Sequence, residues 1–173
     1  MLFTDLVGST ELMSRLGDIA YDGLRGAHFA DLREALSAHQ GKEIKNTGDG
    51  LMATFSSAVQ ALDCAVAMQQ AADRQTSAPD SAVAIRVGLS TGEVTFEGGD
   101  VFGTAVVEAA RLVAAARPGQ ILATAVVRVL AGTRAPTAIT DVGPLDLKGL
   151  PDPVAACECP GSRRPPPCRC RPS

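Results

Sequence analysis

The chain of 173 residues is long enough for one domain with a substantial core and hardly long enough for two. Apolar residues make up 46% of it and aromatic residues only 3%, so the core must be built from Ala, Val, Leu and Ile. The net charge of −3 implies no basic face for nucleic acid. No apolar run is long enough to span a membrane, and the first residues lack the regions of a signal peptide, so we expect a cytoplasmic protein.

Short apolar segments bounded by glycine alternate with segments of helical periodicity. Hairpins mixed with long crossover helices predict an α+β fold, in which a mixed sheet carries its helices on one face. Ser9 or Thr10 is the expected N-cap of the first helix. The predicted elements are, in order, strand 1–7, a helix opening at 11–13, helix 19–38, hairpin strands 43–44 and 51–55, helix 57–73, strand 83–89, strand 93–96, helix 104–117, strand 120–123, helix 125–131 and strand 137–142.

Four of the five cysteines crowd the C-terminal end, and the fifth, Cys64, is predicted to pack in a helix. The two Cys-x-Cys pairs could bind zinc or form disulfides, but their spacing is not the usual Cys-x-x-Cys. They lie among Pro and Arg, so we interpret 156–173 as a mobile tail that follows a domain at 1–155. The four cysteines of this tail are Cys157, Cys159, Cys168 and Cys170.

Two aspartates stand beside small residues at the ends of predicted strands. Asp49 is presented by a glycine turn after Lys45, and Asp5 ends the first strand. Two carboxylates from adjacent strands would bind a hard divalent cation, and such ions near a triphosphate would neutralise its charge. The plainer alternative is that Asp5 caps the following turn and Asp49 belongs to an ordinary hairpin. Lys45 and Asp100 have plain alternatives too, as a solvated strand end and a turn residue.

Five blocks of the sequence, taken in order, resemble the signature of class III nucleotide cyclases, particularly the actinobacterial branch. They extend over residues 1 to about 155. The resemblance implies a ferredoxin-like βαββαβ core with added elements. It also implies a head-to-tail homodimer with an active site at each of two equivalent interface positions. The blocks are 3–10, 45–53, 85–92, 100–112 and 147–151.

The resemblance assigns the metal ligands to the first two blocks. Asp5, Asp49 and the Leu6 carbonyl would hold two Mg²⁺ or Mn²⁺ ions. One ion would lower the pKa of the ribose 3′-hydroxyl, and the other would hold the triphosphate and the leaving pyrophosphate. The backbone amides of Val7, Gly8, Ser9 and Thr10 would cradle the β- and γ-phosphates.

The remaining blocks supply the implied substrate contacts. Arg86 and Lys148 would contact phosphate, and Arg111 would stabilise charge at the α-phosphate; the plainer reading of Arg111 pairs it with Glu108 on the same helix. Lys45 and Asp100 from the partner subunit would read the base, because a lysine donates to adenine N1 and a carboxylate accepts from its 6-amino group. Guanylate cyclases have glutamate at the lysine position, so the resemblance implies ATP as the substrate.

One residue departs from the family pattern. The asparagine that normally lies four residues before the arginine is Val107 here, which cannot donate a hydrogen bond. The leading hypothesis is an adenylate cyclase that forms 3′,5′-cyclic AMP and pyrophosphate, with Thr104 or a water replacing the asparagine or with low turnover. A second hypothesis is a weak or inactive nucleotide-binding and dimerisation module. A third, a dinucleotide cyclase, is disfavoured because its Gly-Gly-Asp/Glu-Glu-Phe turn is missing.

Overall fold

The computed structural model describes residues 1–75, 83–135 and 138–161, which form an α+β fold. The core elements alternate between buried strands and amphipathic helices, as the apolar patterns predict. A short 3-10 turn at Gly132–Arg134 follows the last helix. The helices and strands are β1 (Leu2–Leu6), α1 (Ser9–Leu16), α2 (Asp18–Ala38), β2 (Lys42–Asn46), β3 (Leu51–Thr54), α3 (Ala58–Gln75), β4 (Ile85–Leu89), β5 (Thr95–Glu97), β6 (Asp100–Phe102), α4 (Thr104–Ala115), β7 (Ile121–Thr124), α5 (Ala125–Ala131), β8 (Thr140–Leu145) and β9 (Val154–Cys159).

A mixed sheet of seven strands organises the described residues, in the order β2-β3-β1-β4-β7-β9-β8. Its first four strands pair antiparallel, and β4 pairs parallel with β7. The segment from β1 to β4 has the βαββαβ order and strand arrangement of a ferredoxin-like core, which confirms the predicted fold class. The hairpin of β5 and β6 forms a second, two-stranded sheet beside it.

The helices cover both faces of the sheet, and the expectation that they share one face is wrong for α4. Alternate residues of β4, Ile85, Val87 and Leu89, belong to the larger core cluster with α2 and α3. Gly88 has the opposite orientation, and a Cβ there would lie 2.3 Å from the carbonyl oxygen of Ala109 in α4. A strand that is apolar on both faces needs cover on both, and the missing side chain lets α4 pack directly on β4.

The start of the first helix also differs from the prediction. The N-cap is Gly8, in the left-handed conformation with φ 65°, and α1 begins at Ser9. Neither Ser9 nor Thr10 is therefore the cap. The amides at this turn point out of the helix end because the first turn of a helix has no intrahelical acceptor for them.

The predicted start of the tail at residue 156 is wrong. Ala156, Cys157 and Cys159 lie in β9 between β7 and β8, and all three side chains are buried. The Pro- and Arg-rich composition begins only after this strand, so it gave a boundary that was too early. Cys168 and Cys170 lie outside the described residues, as does the predicted strand start at 137. No helix within the described ranges combines the length and the apolar character needed to cross a bilayer.

Candidate active site

The turn that carries Asp49 is fastened to the end of β1. The amide of Leu6 donates to the Asp49 carbonyl oxygen over 3.0 Å, and the amide of Leu51 donates to Thr4 Oγ1 over 3.0 Å. Gly50 lies between these two bonds, where a Cβ would be only 1.9 Å from the Thr4 carbonyl oxygen. The fold thus brings the predicted metal ligands of β1 and of the hairpin together, as the sequence predicts.

Asp5 is paired with Arg86 across the neighbouring strands β1 and β4. Arg86 donates to Asp5 Oδ2 through Nε at 3.0 Å and also through one terminal nitrogen. Both residues alternate with core residues of their strands and so face the side of the sheet that α4 covers. The contact of Arg86 with phosphate stays a prediction, because its partner in the structure is the carboxylate of Asp5.

Asp49 is held by two hydroxyl groups rather than by a cation. Ser9 Oγ donates to Asp49 Oδ2 over 2.6 Å, and the Tyr21 hydroxyl lies 3.3 Å from Asp49 Oδ1. Burial raises the pKa of Tyr21, and the charge of Asp49 raises it further. The sequence analysis did not identify Tyr21, although it is the only tyrosine of the chain and falls in the apolar stripe of α2.

The N-terminus of α1 adjoins this pair of aspartates. The left-handed Gly8 turns the chain so that the amides at Ser9 and Thr10 begin the helix, a geometry suited to anionic groups. A cavity of about 590 Å³ opens beside it and is lined by Ser9, Thr10, Arg25 and Asp49, among others. The predicted phosphate cradle therefore has both free backbone donors and space beside it.

Lys45 and Asp100 form an ion pair between β2 and β6. Asp100 Oδ2 accepts from Lys45 Nζ, and Asp100 Oδ1 accepts from the Val101 amide over 2.8 Å. The hydrogen bond from Lys45, followed by that from Val101, lowers the pKa of Asp100. The structure thus joins two residues that are 55 positions apart in sequence, both predicted to read the base.

Arg111 and Lys148 lie near each other on the exposed surface. A Cβ at Gly149, next to Lys148, would lie 3.8 Å from a terminal nitrogen of Arg111. Arg111 does not pair with Glu108, whose carboxylate instead accepts from Ser90 Oγ over 2.5 Å. Among the described residues Arg111 makes no ion pair, so its guanidinium group is available to a ligand.

The donor set fits a divalent cation that shares its ligands with a bound nucleotide. Within the parts of the chain that the structure describes, no group of three or more His, Cys, Asp or Glu side chains could hold a metal. Asp5 and Asp49 supply two hard oxygen ligands, and a hard cation needs six or more. Phosphate oxygens, water and backbone carbonyls would complete the shell, which is the arrangement typical of Mg²⁺ bound with a nucleotide.

Comparison with known proteins gives a consistent result. Residues 1–157 match the family model of the adenylate and guanylate cyclase catalytic domain. Putative adenylate cyclase 3 from Rhizobium meliloti is 34% identical over 156 residues, which cover 89% of this chain and 27% of that protein. An adenylate cyclase from Streptomyces coelicolor is 31% identical over 120 residues, which cover 69% of this chain and 30% of that protein. The chain thus spans less than a third of either relative.

Solved structures show the same fold. An adenylate/guanylate cyclase/hydrolase from Silicibacter pomeroyi is 30% identical with a TM-score of 0.81, and the match covers 91% of this chain and 92% of that one. The adenylyl cyclase CyaB from P. aeruginosa has a TM-score of 0.79 at 24% identity, over 94% of this chain and 93% of that one. The family match over residues 1–157, together with this fold, shows that the chain belongs to the adenylate and guanylate cyclase catalytic domain family.

Proposed function

We propose that this domain is an adenylate cyclase, which converts ATP to 3′,5′-cyclic AMP and pyrophosphate at the interface of a homodimer. The observation that carries the proposal is the pairing of Lys45 with Asp100 on a chain that also brings Asp5 and Asp49 together. The first pair offers the donor and acceptor that complement adenine. The second offers the carboxylates that hold divalent cations.

The roles of the residues follow from their positions. Asp5 and Asp49, with the Leu6 carbonyl, would hold two Mg²⁺ or Mn²⁺ ions, which would neutralise the triphosphate and acidify the ribose 3′-hydroxyl. The amides at Ser9 and Thr10 would bind the β- and γ-phosphates. A new bond would form from the 3′-oxygen to the α-phosphorus, and the bond from that phosphorus to the pyrophosphate oxygen would break.

Three cations would accompany this transfer of charge. Arg111 is free of ion pairs among the described residues, and it would donate to the α-phosphate oxygens as charge develops there. Lys148 and Arg86 would add positive charge near the phosphates. Arg86 would have to divide its donors between Asp5 and the nucleotide, because both of its bonds now go to one carboxylate oxygen.

Val107 favours a second candidate function, a weak or inactive nucleotide-binding and dimerisation module. Its side chain is 40% exposed on α4, four residues before Arg111. A valine there cannot hydrogen-bond the ribose, and loss of one such bond costs about tenfold to a thousandfold in rate. This candidate predicts ATP binding without cyclic product, whereas the leading proposal predicts product at a reduced rate. A cytoplasmic location is part of both proposals.

Mixed dimers test the proposal. We expect Asp5→Ala and Asp49→Ala each to abolish cyclic AMP formation, while Asp73→Ala, at an exposed position of α3, leaves it unchanged. If metal ligands and base-reading residues come from different subunits, an equal mixture of Asp5→Ala and Lys45→Ala chains regains activity. Half of the randomly paired dimers are then mixed and each has one intact site, so about a quarter of the wild-type activity should return. No recovery in verified mixed dimers would overturn the interface site.

A further inference from the structure

The inference concerns how Asp49 is held, and it rests on the proposed function because it takes Asp49 as a metal ligand. Asp49 follows Gly48, whose φ is 93°, so the carboxylate lies on a tight turn rather than on a strand. A turn by itself leaves such a side chain several rotamers. Here each carboxylate oxygen has its own donor: Ser9 Oγ lies 2.6 Å from Oδ2, and the Tyr21 hydroxyl lies 3.3 Å from Oδ1.

The donors to Asp49 are neutral, which distinguishes this carboxylate from Asp5. A carboxylate has about four lone-pair positions. The two hydroxyls occupy one position on each oxygen and leave one on each, as a carboxylate shared between two cations requires. They also leave its full negative charge, whereas at Asp5 the Arg86 guanidinium compensates the charge. Asp49 is therefore the carboxylate better prepared to attract a cation.

Helix α2 makes the position of Tyr21 a rigid one. The Tyr21 ring is 7% exposed and belongs to the larger core cluster. One helical turn later, Arg25 donates to the Gly48 carbonyl oxygen over 3.4 Å. Residues four apart share a helix face, so the same face of α2 contacts the backbone and the side chain of the turn. The hydroxyl is thus fixed by packing that does not depend on Asp49.

We propose that Tyr21 is a positioning residue, whose hydroxyl acts with that of Ser9 to hold the Asp49 carboxylate in the orientation that binds the divalent cations. The opposing view is that Tyr21 only fills the core and that its hydroxyl lies beside Asp49 without effect. The two views differ in what removal of one oxygen atom does, because Tyr21→Phe keeps the ring and its packing.

The composition of the chain provides a direct optical signal. Tyr21 is the one tyrosine and there is no tryptophan, so the tyrosine fluorescence of the protein comes from the side chain on Asp49. A paramagnetic ion bound at Asp49 lies close enough to quench it. We expect Mn²⁺ to quench this fluorescence in the wild-type protein and to quench it far less in Asp49→Asn. An unchanged signal at Mn²⁺ concentrations that occupy the site would overturn the placement of Tyr21.

Metal affinity tests the positioning role itself. We expect Tyr21→Phe to bind Mn²⁺ about five- to tenfold more weakly than wild type in electron paramagnetic resonance titrations, since loss of an outer partner of a metal ligand has effects of about that size or larger. At saturating Mn²⁺ the ATP KM and kcat should return close to wild-type values. Ser14→Ala is the matched control, because that hydroxyl bonds only the Thr10 carbonyl oxygen in the described contacts.

Each result has a separate meaning. Wild-type Mn²⁺ affinity in a folded Tyr21→Phe protein overturns the inference and leaves the proposed function intact, provided that Asp49→Asn weakens binding. Wild-type affinity in Asp49→Asn overturns the metal assignment itself. If Tyr21→Phe fails to fold, Ser9→Ala tests the same network from its other hydroxyl. A weakened Mn²⁺ affinity in that variant supports the inference, and an unchanged one contradicts it.

Discussion

Gly50→Ala should separate the two strands that bring the aspartates together. A Cβ at residue 50 would lie 1.9 Å from the Thr4 carbonyl oxygen, and such contacts do not occur below 3.0 Å, so the strands must part by about 1.1 Å. The neighbouring hydrogen bonds, from Leu6 to Asp49 and from Leu51 to Thr4, are each 3.0 Å long. A movement of that size breaks both.

The cost follows from these two bonds. Each leaves a buried polar group without its partner, at about 1–3 kcal/mol, so the free energy of unfolding should fall by roughly 2–6 kcal/mol. For a domain of this size 1 kcal/mol shifts the melting temperature by about 2–4 °C, which predicts a loss of roughly 5–20 °C. Activity should fall further than stability, because Asp5 and Asp49 move apart.

Thermal melting followed by circular dichroism, with urea unfolding as a second measure, tests this prediction. Gly26→Ala is the matched control: a Cβ there meets nothing within 4 Å on the exposed side of α2. That change should stabilise the protein by about 0.5–1 kcal/mol, because alanine loses less conformational entropy in a helix. A Gly50→Ala protein within about 0.5 kcal/mol of wild type would refute the reasoning about this close approach.

Three further predictions address pH, turnover and the base-reading pair. Burial lowers the pKa of His28 from its ordinary 6.5, so the unfolded chain binds more protons below that pH and the free energy of unfolding falls on acidification; His28→Gln should flatten this dependence in urea titrations, and His39→Gln should not. Val107→Asn restores a hydrogen-bonding side chain on α4, and we expect kcat to rise about tenfold or more; an unchanged kcat would show that the valine is not limiting. Lys45→Gln removes the cation beside Asp100, and ATP turnover should fall about ten- to a hundredfold, whereas unchanged initial rates would exclude Lys45 from base recognition.

The sequence predicted the fold class and the metal carboxylates because their signals are local. Alternating apolar residues and glycine turns identify strands and helices without knowledge of the partner element. Asp5 and Asp49 each stand next to such a signal. The pairing of Lys45 with Asp100 is a contact over 55 positions, and its prediction depended on the resemblance to a family rather than on spacing.

The interactions that were missed depend on register and on tertiary packing. Arg86 meets Asp5 only because β1 and β4 pair in one register, 81 residues apart. The Tyr21 hydroxyl reaches Asp49 because of the angle at which α2 crosses the hairpin, which no sequence period encodes. The polar composition after residue 160 outweighed the short apolar alternation of β9, so Cys157 was placed outside the core that it helps to form.

The placement of α4 shows a third kind of limit. Gly88 lies in a strand that is otherwise Ile, Val and Leu, and its role is to leave space for the helix backbone on the second face. A glycine in a strand has several possible explanations, including a bulge or a close approach. The choice between them requires the position of the neighbouring element.

Product identification tests the central proposal most directly. The purified protein is incubated with Mn²⁺ and with equal concentrations of ATP and GTP, and the products are identified by mass. We predict 3′,5′-cyclic AMP and pyrophosphate in equal amounts, with much less cyclic GMP, and no product from Asp49→Ala. Cyclic GMP as the main product would contradict the role of Lys45 and Asp100, and nucleotide binding without any cyclic product would contradict the cyclase assignment.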